Sequence, residues 1–480
     1  MSHLYPVSIL WLRRDLRLND HAVLAEACAK SDRVIPVFVF DTNILDRLDN
    51  PSDRRLSFIH ASLVELKNAL RLLGSDLAVL HGDPKSLIPE FAGRIGSAAV
   101  FAGKDYEPYA KERDLHVARS LERDGRIFHA VKDQVIFESL EVITGGGTAF
   151  RVFTPYSKAW LNRFDAISTG SASPAAEQRA DLSRLAPAAV FPADSDLPSL
   201  SDLGFVESPL WLEAGESAAQ RRLKDFLPLM SCYADDRDFP SVGGTSGLSV
   251  HLRFGTISIR ELVRRAMRDT SKGARVWLNE LIWREFYHMI LDQFPHVANG
   301  PFRREYDHLL WPGREDHFLA WCEGRTGYPI VDAAMRHFNA TGWMHNRLRM
   351  VVAMFLTKDL LLDWRWGEAY FARHLLDFDL AANNGGWQWS ASTGVDAAPY
   401  FRVFNPVLQS RRFDPDGTFI REQLPELRGF SDKLIHWPHD ADMFMQQKAG
   451  CIIGEHYPHP IVNHATQKVK AIAMFRGGDS

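Results

Sequence analysis

Cysteine is scarce in this chain of 480 residues: Cys28, Cys232, Cys322 and Cys451 stand far apart, with no CxxC pair. That argues against a disulfide framework or a cysteine-based zinc site, and it suits a reducing compartment. No apolar run approaches the roughly 18 residues that a membrane-spanning helix needs. The opening MSHLYPVSILWLRRDLRLND has no basic segment leading into a long apolar core, so no signal peptide is expected. A cytoplasmic location is expected from these absences. Charge of one sign is missing too. With 56 Lys+Arg against 60 Asp+Glu, the net charge is −4. That does not advertise a polyanionic partner, although a groove needs only a local positive field. The histidines support no metal site; His456 and His459 sit in the proline-punctuated GEHYPHP and are expected at the surface. No Ser-His-Asp or Cys-His arrangement stands out, and no internal repeat is found.

What the chain has in quantity is tryptophan, 13 in all. Trp usually supplies core or interface mass, so position rather than number carries the information. The first third reads as α/β. VSILWL (7–12), RVIPVFVF (33–40), LAVLHG (77–82) and AAVFAG (98–103) are short apolar runs separated by helical patterns such as DRRLSFIHASLVELKNALRLLG (53–74). Such alternation implies βαβ units and a parallel sheet. Asp83 opens a turn, and Pro84 suits the first turn of the next helix. From about 168 to 205 the composition shifts to Ser, Ala, Pro and Asp, which reads as a long surface connection. After it, SAAQRRLKDFLPLM, SIRELVRRAM, WLNELIWREFYHMILDQF, IVDAAMRHFNATGW and NRLRMVVAMFLTKDLLLDW all carry helical spacing. The expected organisation is an α/β parallel-sheet domain over residues 1–135, a linker over 136–205 and a large all-α domain over 206–480.

GGTSGLS (243–249) offers backbone N–H groups and the hydroxyls of Thr245, Ser246 and Ser249 to a phosphate. The missing Lys-Ser/Thr excludes a Walker loop, and a plain turn is the alternative. In WLNELIWREFYHMIL (277–291), Leu278, Ile282, Phe286 and Met289 form an apolar stripe. Glu280, Trp283, Arg284 and Tyr287 fall three and four apart on another face. A carboxylate, an indole, a guanidinium and a phenol together can stack on a nucleobase and hydrogen-bond its edge. The alternative is an amphipathic helix with a solvated Glu280–Arg284 pair. TGWMHNRLRMVVAMF (341–355) sets Asn346 and Met350 four apart, flanked by Arg347 and Arg349. Asn346 is either a helix cap or an amide that reads a ligand, and Met350 is either core filler or part of the same surface. Gln409 and Arg411–Arg412 add an amide and cations. DLAANNGGWQWSASTG (379–394) has neither a helical stripe nor strand alternation. Gly385 and Gly386 permit close backbone approach, and Trp387 and Trp389, two apart, cannot share one helical face. The stretch is either a loop with two core anchors or the lip of a cofactor site.

In this order the segments resemble the DNA photolyase/cryptochrome family, from WLRRDLRLND (11–20) to HPIV (459–462). WLNELIWREFY, TGYPIVDAAMRHFNATGWMHNRLRM and DLAANNGGWQWSASTGVDAAPYFRVFNP are its long, specific matches. Within the family the chain looks most like class I cyclobutane pyrimidine dimer photolyases. The resemblance implies a Rossmann-like antenna domain and a helical FAD-binding domain. It implies that Tyr233, Thr245, Ser246, Gly247, Leu248 and Ser249 hold the phosphate side of FAD, and that Trp277 and Arg284 also bind the cofactor. Arg349 would pair with Asp377 over the flavin, with Asp379 nearby and Asn383 beside N5. Asn at that last position accompanies repair enzymes, whereas several signalling cryptochromes have Asp or Cys. Trp387, Trp364 and Trp311 match an electron-transfer chain from flavin to surface. Trp389 matches the wall of the substrate pocket, facing Trp283. Glu280, Asn346 and Met350 match contacts to a flipped-out dimer, and Arg237, Tyr287, Arg347 and Gln409 match contacts to DNA.

The implied function is light-driven repair of UV-damaged DNA by electron transfer from excited, reduced FAD. The alternative is a blue-light photoreceptor with little or no repair. Asn346 and Met350 are dimer-type residues, which argues against (6-4) repair. Photoreceptor relatives often carry a long C-terminal tail, whereas AMFRGGDS follows soon after the shared region. KDYEPYAKERD (104–114) has Tyr109–Ala110 where folate-type relatives have Asn-Glu. Methenyltetrahydrofolate, 8-hydroxydeazaflavin, another flavin and no antenna at all therefore stand as alternatives. A monomer is expected.

Overall fold

The computed structural model describes residues 4–170 and 173–477. Residues 1–3 of the expected first domain, 171–172 of the expected linker and 478–480 of the expected helical domain lie outside the described residues. The chain forms two compact units. One is the chain up to Ser231 together with Ser246–Gln293; the other is Cys232–Thr245 with the chain from Phe294 onward. This division departs from the expected boundary at 206, because side-chain polar ties draw later helices to the sheet. Arg17 donates to the Gly255 carbonyl at 3.0 Å, and Arg260 pairs with Asp20 at 3.0 Å and with Asp133 at 2.8 Å.

The first unit is built on five parallel strands: β1 (Tyr5–Leu12), β2 (Ser31–Asp41), β3 (Ala78–Gly82), β4 (Ala99–Gly103) and β5 (Ile127–Val131), in the order β3-β2-β1-β4-β5. The four expected runs are β1 to β4. Trp11 in β1 is in register with Val37 on one side and Ala102 on the other. Strands covered on both faces read as unbroken apolar runs, and this is what made them legible. The edge strand β5 has no such run; its Ile127 is exposed, and the sequence reading omitted it. Asp53 caps the Arg54–Leu72 helix by accepting from Arg55 N–H, and Asp83 caps Pro84–Arg94 by accepting from Lys85 N–H.

Residues 136–205 correct the expected linker. Phe153–Gly170 is an 18-residue helix. The segment after it runs along the sheet, not merely over the surface. Ala186 N–H donates to the Val34 carbonyl at 2.9 Å, Val79 N–H donates to the Ser195 carbonyl at 2.8 Å, and Ala186 lies in the sheet's core. Pairing to a strand uses backbone groups, so a Ser/Pro/Asp-rich composition conceals it.

The second unit is helical around a core that includes Trp321, Tyr328, Phe338, Phe355, Trp364 and Trp387. The pattern read as one helix from 346 to 364 divides into Asn346–Met354, a π-helical turn at Phe355–Asp359 and a new helix, Trp364–His374. Lys358 and Asp359 are both buried at this turn. Lys358 donates to Ala391 O and Ser392 Oγ, and Asp359 meets the imidazole of His464 at 2.6 Å.

The stretch 379–394 is not a loop. It forms the helix Leu380–Ala391, capped by Asp379 and ended by Ser392 at φ +69°. A glycine in a helix interior costs about 1 kcal/mol relative to alanine. Side-chain ties offset this. Asn384 donates to Val297 O at 2.9 Å, Gln388 donates to Gly300 O at 3.1 Å and to Asn384 Oδ1 at 3.0 Å, and Phe302 N–H donates back to Gln388 at 2.8 Å. Among the described residues, no helix is long and apolar enough to cross a membrane.

Candidate functional site

In the first unit, the Lys272–Gln293 helix carries both expected faces. Leu278, Ile282, Phe286 and Met289 are buried, while Glu280, Trp283, Arg284 and Tyr287 each keep partial exposure. Trp283 stacks on Phe153, and Arg284 donates to the Gln134 carbonyl. Trp277 is buried against Phe226, with ring centroids 4.9 Å apart. In the glycine-rich loop, Gly247 adopts φ +59°, and a Cβ there would fall 2.0 Å from the Arg222 guanidinium. Arg222 also donates to the Ser246 carbonyl at 2.9 Å. A cation therefore backs the loop, where Leu248 is buried and Ser249 is exposed. The sequence reading missed Arg222, because only the fold brings the Glu216–Phe226 helix to this loop.

In the second unit, His345 and not Asn346 caps the Asn346–Met354 helix; its imidazole accepts from Arg347 N–H at 3.2 Å. Burial pushes the His345 pKa down to about 4 and so keeps the ring neutral, as an acceptor must be. Asn346 is the exposed first residue of that helix, and Met350 is partly exposed one turn on. Arg347 pairs with Asp238 at 2.8 Å and lies 4.3 Å over the Phe413 ring. Arg237 lies 5.3 Å over the ring of buried Tyr233. Arg411 and Arg412 are exposed. The buried Oε1 of Gln409 has no hydrogen-bond partner among the described residues. Thr245 is partly exposed.

Arg349 grips Asp377 through both carboxylate oxygens, at 2.8 and 3.1 Å, and its Nε donates to the Met344 carbonyl at 2.8 Å. Asp379 is committed to capping its helix, accepting from Ala382 N–H at 3.2 Å. Asn383 Nδ2 donates to the Glu368 main-chain carbonyl at 3.2 Å. A carbonyl can only accept, so the amide nitrogen must face it and Asn383 presents Oδ1, an acceptor, elsewhere.

Trp364 and Trp387 are buried in the core, and Trp311 is partly buried against it. This order of burial suits a path from inside to surface. Trp387 is held by Phe371 and Trp321, with ring centroids 5.1 and 6.1 Å away. A Cβ on Gly367 would fall 2.0 Å from its indole, so glycine is what admits the ring. Trp389 keeps partial exposure, as a two-residue offset on a helix requires.

Glu368 escaped the sequence reading. Burial pushes its carboxyl up to about 7, against the opposing pull of the Asn384 hydrogen bond and of Arg365. The folded state thus keeps a proton that the unfolded chain releases near 4.5. The stability this group contributes is present below that value and is lost as pH rises through about 7. Glu368→Gln keeps an oxygen for the Asn384 amide and cannot ionise. It is expected to melt close to wild type at pH 5 and higher by roughly 2 °C or more at pH 8.5. An equal difference at both pH values in thermal denaturation would show that this carboxyl does not titrate in that window.

A family model described as the FAD binding domain of DNA photolyase matches residues 277–477, and one described as DNA photolyase matches residues 8–178. The chain is 41% identical over 479 residues to a deoxyribodipyrimidine photo-lyase of Synechococcus sp., covering 97% of this chain and 96% of that one. A class III photolyase from Agrobacterium tumefaciens is similar in structure, with a TM-score of 0.89 at 34% identity over 100% of this chain and 99% of that one. An archaeal photolyase from Sulfolobus tokodaii, solved with two FAD molecules, gives a TM-score of 0.81 at 35% identity over 98% of this chain and 100% of that one. Matched along nearly its whole length at this level of identity, the chain belongs to the DNA photolyase family.

Proposed function

We propose that this protein repairs cyclobutane pyrimidine dimers in UV-damaged DNA, driven by light through bound FAD. Its residues suit that cofactor. They include a fixed Arg349–Asp377 pair, an Asn383 amide turned to present its oxygen, and a glycine cradle at Gly247 backed by Arg222. When bound, FAD supplies light absorption and, in its reduced form, the electron that opens the cyclobutane ring and is then returned. Tyr233 and Thr245 to Ser249 hold its phosphate side. Trp277, Arg284, Arg349, Asp377 and Asp379 hold the remainder, and Asn383 Oδ1 accepts at the N5 edge. Trp311, Trp364 and Trp387 carry electrons inward.

A dimer stacked in a duplex is out of reach of a buried cofactor, so it must be flipped out, at a cost that damage lowers. Trp283 and Trp389 stack on the flipped bases, and Met350 packs beside them. Glu280 and Asn346 hydrogen-bond the pyrimidine edges. Arg237, Tyr287, Arg347 and Gln409 hold the DNA. The observation that carries repair over photoreception is Asn383, an amide where several signalling relatives have an acid or a thiol.

A second, antenna chromophore in the sheet domain belongs to the same proposal, whether methenyltetrahydrofolate, 8-hydroxydeazaflavin or another flavin. The carboxyl ends of β1 and β4 lie side by side where the strand order reverses. Open parallel sheets take ligands at such points, and the Sulfolobus relative's second FAD supports an antenna of some kind. We place the protein in the cytoplasm as a monomer, a setting that suits four cysteines that form no disulfide among the described residues.

The deciding experiment follows thymine absorbance of an oligonucleotide carrying one thymine dimer, incubated with the photoreduced protein under blue light and in the dark. Recovery only in the light is expected. No recovery with FAD bound and reducible would assign the protein to photoreception.

A further inference from the structure

The Phe153–Gly170 helix braces the aromatic face of Lys272–Gln293 at two points. The first is Phe153 itself, which is 8% exposed and stacks face to face on Trp283, with centroids 3.7 Å apart and planes 8° from parallel. The second is the buried carboxyl of Glu285, two residues beyond Trp283. It accepts from Trp160 Nε1 at 2.6 Å and from the Tyr156 hydroxyl at 3.5 Å, both on the bracing helix. It also accepts from Ile136 N–H at 2.6 Å and Phe137 N–H at 3.1 Å. Glu285 therefore fixes the helix that carries Trp283, and Phe153 fixes the ring. Phe286 adds an edge-on contact to Phe153 at 5.8 Å.

A ring stacked at 3.7 Å admits no water on that face, so the partial exposure of Trp283 belongs to the remainder of its indole. An indole without such support would lose rotamer freedom on binding, at a cost of about 0.5–1.5 kcal/mol per immobilised side chain. A ring already held in plane avoids most of that cost. Resting on the repair function proposed above, we infer that Phe153 presets the plane of Trp283 for stacking on the damaged pyrimidine. It acts through Trp283 and is a positioning residue.

The test measures equilibrium binding of the FAD-loaded protein, in the dark, to a duplex with one thymine dimer and to the same duplex undamaged. Phe153→Leu is expected to weaken binding to the damaged duplex by roughly 2- to 13-fold, the range that such a rotamer cost converts to. Binding to undamaged DNA should stay at the wild-type level, and Phe153→Tyr, which keeps a flat ring, should bind as wild type does. Equal losses on both duplexes would assign Phe153 a general structural role and overturn the proposal, as would wild-type discrimination by Phe153→Leu. If Phe153→Leu does not fold, Phe153→Met, which keeps bulk without a flat face, is read by the same outcomes. Failure of the wild-type protein to discriminate would instead count against the repair function itself.

Discussion

Trp387→Phe is expected to slow light-driven reduction of the oxidised, FAD-loaded protein by roughly tenfold or more, because each ~1.4 kcal/mol added to a barrier costs about a factor of ten. A benzene ring gives up an electron far less readily than an indole. Trp387 is also held in place, set against Gly367, Phe371 and Trp321. The readout is the decay of oxidised-flavin absorbance under blue light with a thiol reductant. The same variant, reduced chemically beforehand, should repair dimers at the wild-type rate. Trp389→Phe should do the reverse, leaving photoreduction intact and weakening dimer binding. Undiminished photoreduction in Trp387→Phe would remove this residue from the electron path.

Arg349→Met is expected to cost the protein its bound FAD and about 3 kcal/mol of stability. The side chain of Asp377 is 3% exposed, and Arg349 occupies both of its oxygens. Removing one partner of such a pair leaves an uncompensated buried charge, which is far more costly than the net worth of the intact pair. Lysine would restore the charge but not the fork that also reaches the Met344 carbonyl. Arg349→Lys should therefore recover part of the stability and less of the cofactor. Flavin absorbance per protein after purification and thermal denaturation of the same sample give both numbers. Full flavin content in Arg349→Met would show that the pair serves the fold and not the cofactor.

Legibility in the sequence followed local physics. β1 to β4 were visible because strands covered on both faces write continuous apolar runs, and Asp83 followed by Pro84 announced a helix start. The division of the Lys272–Gln293 helix into a buried stripe and a partly exposed polar-aromatic face was readable from spacing alone. Leu380–Ala391 was unreadable for the opposite reason. It is buried on several sides by polar ties, and a helix held that way writes no stripe. The roles of Arg349, Asp377, Asn383 and the tryptophans rested on family resemblance rather than on pattern. The structure adds the Arg349–Asp377 ion pair and the Asn383 hydrogen bond to the Glu368 carbonyl.

The sequence by itself determined where four of the five parallel strands run, where several helices lie and which residue types are available for chemistry, since each depends on neighbours within a turn or a strand. Only the tertiary structure decided that the presumed linker holds a helix bracing Trp283, that Arg222 backs the glycine loop, and that Glu368 sits beside Asn384 with its carboxyl raised to about 7. Those outcomes depend on burial and on partners far away in the chain, and a carboxyl or a guanidinium carries no local mark of the environment in which the fold will place it.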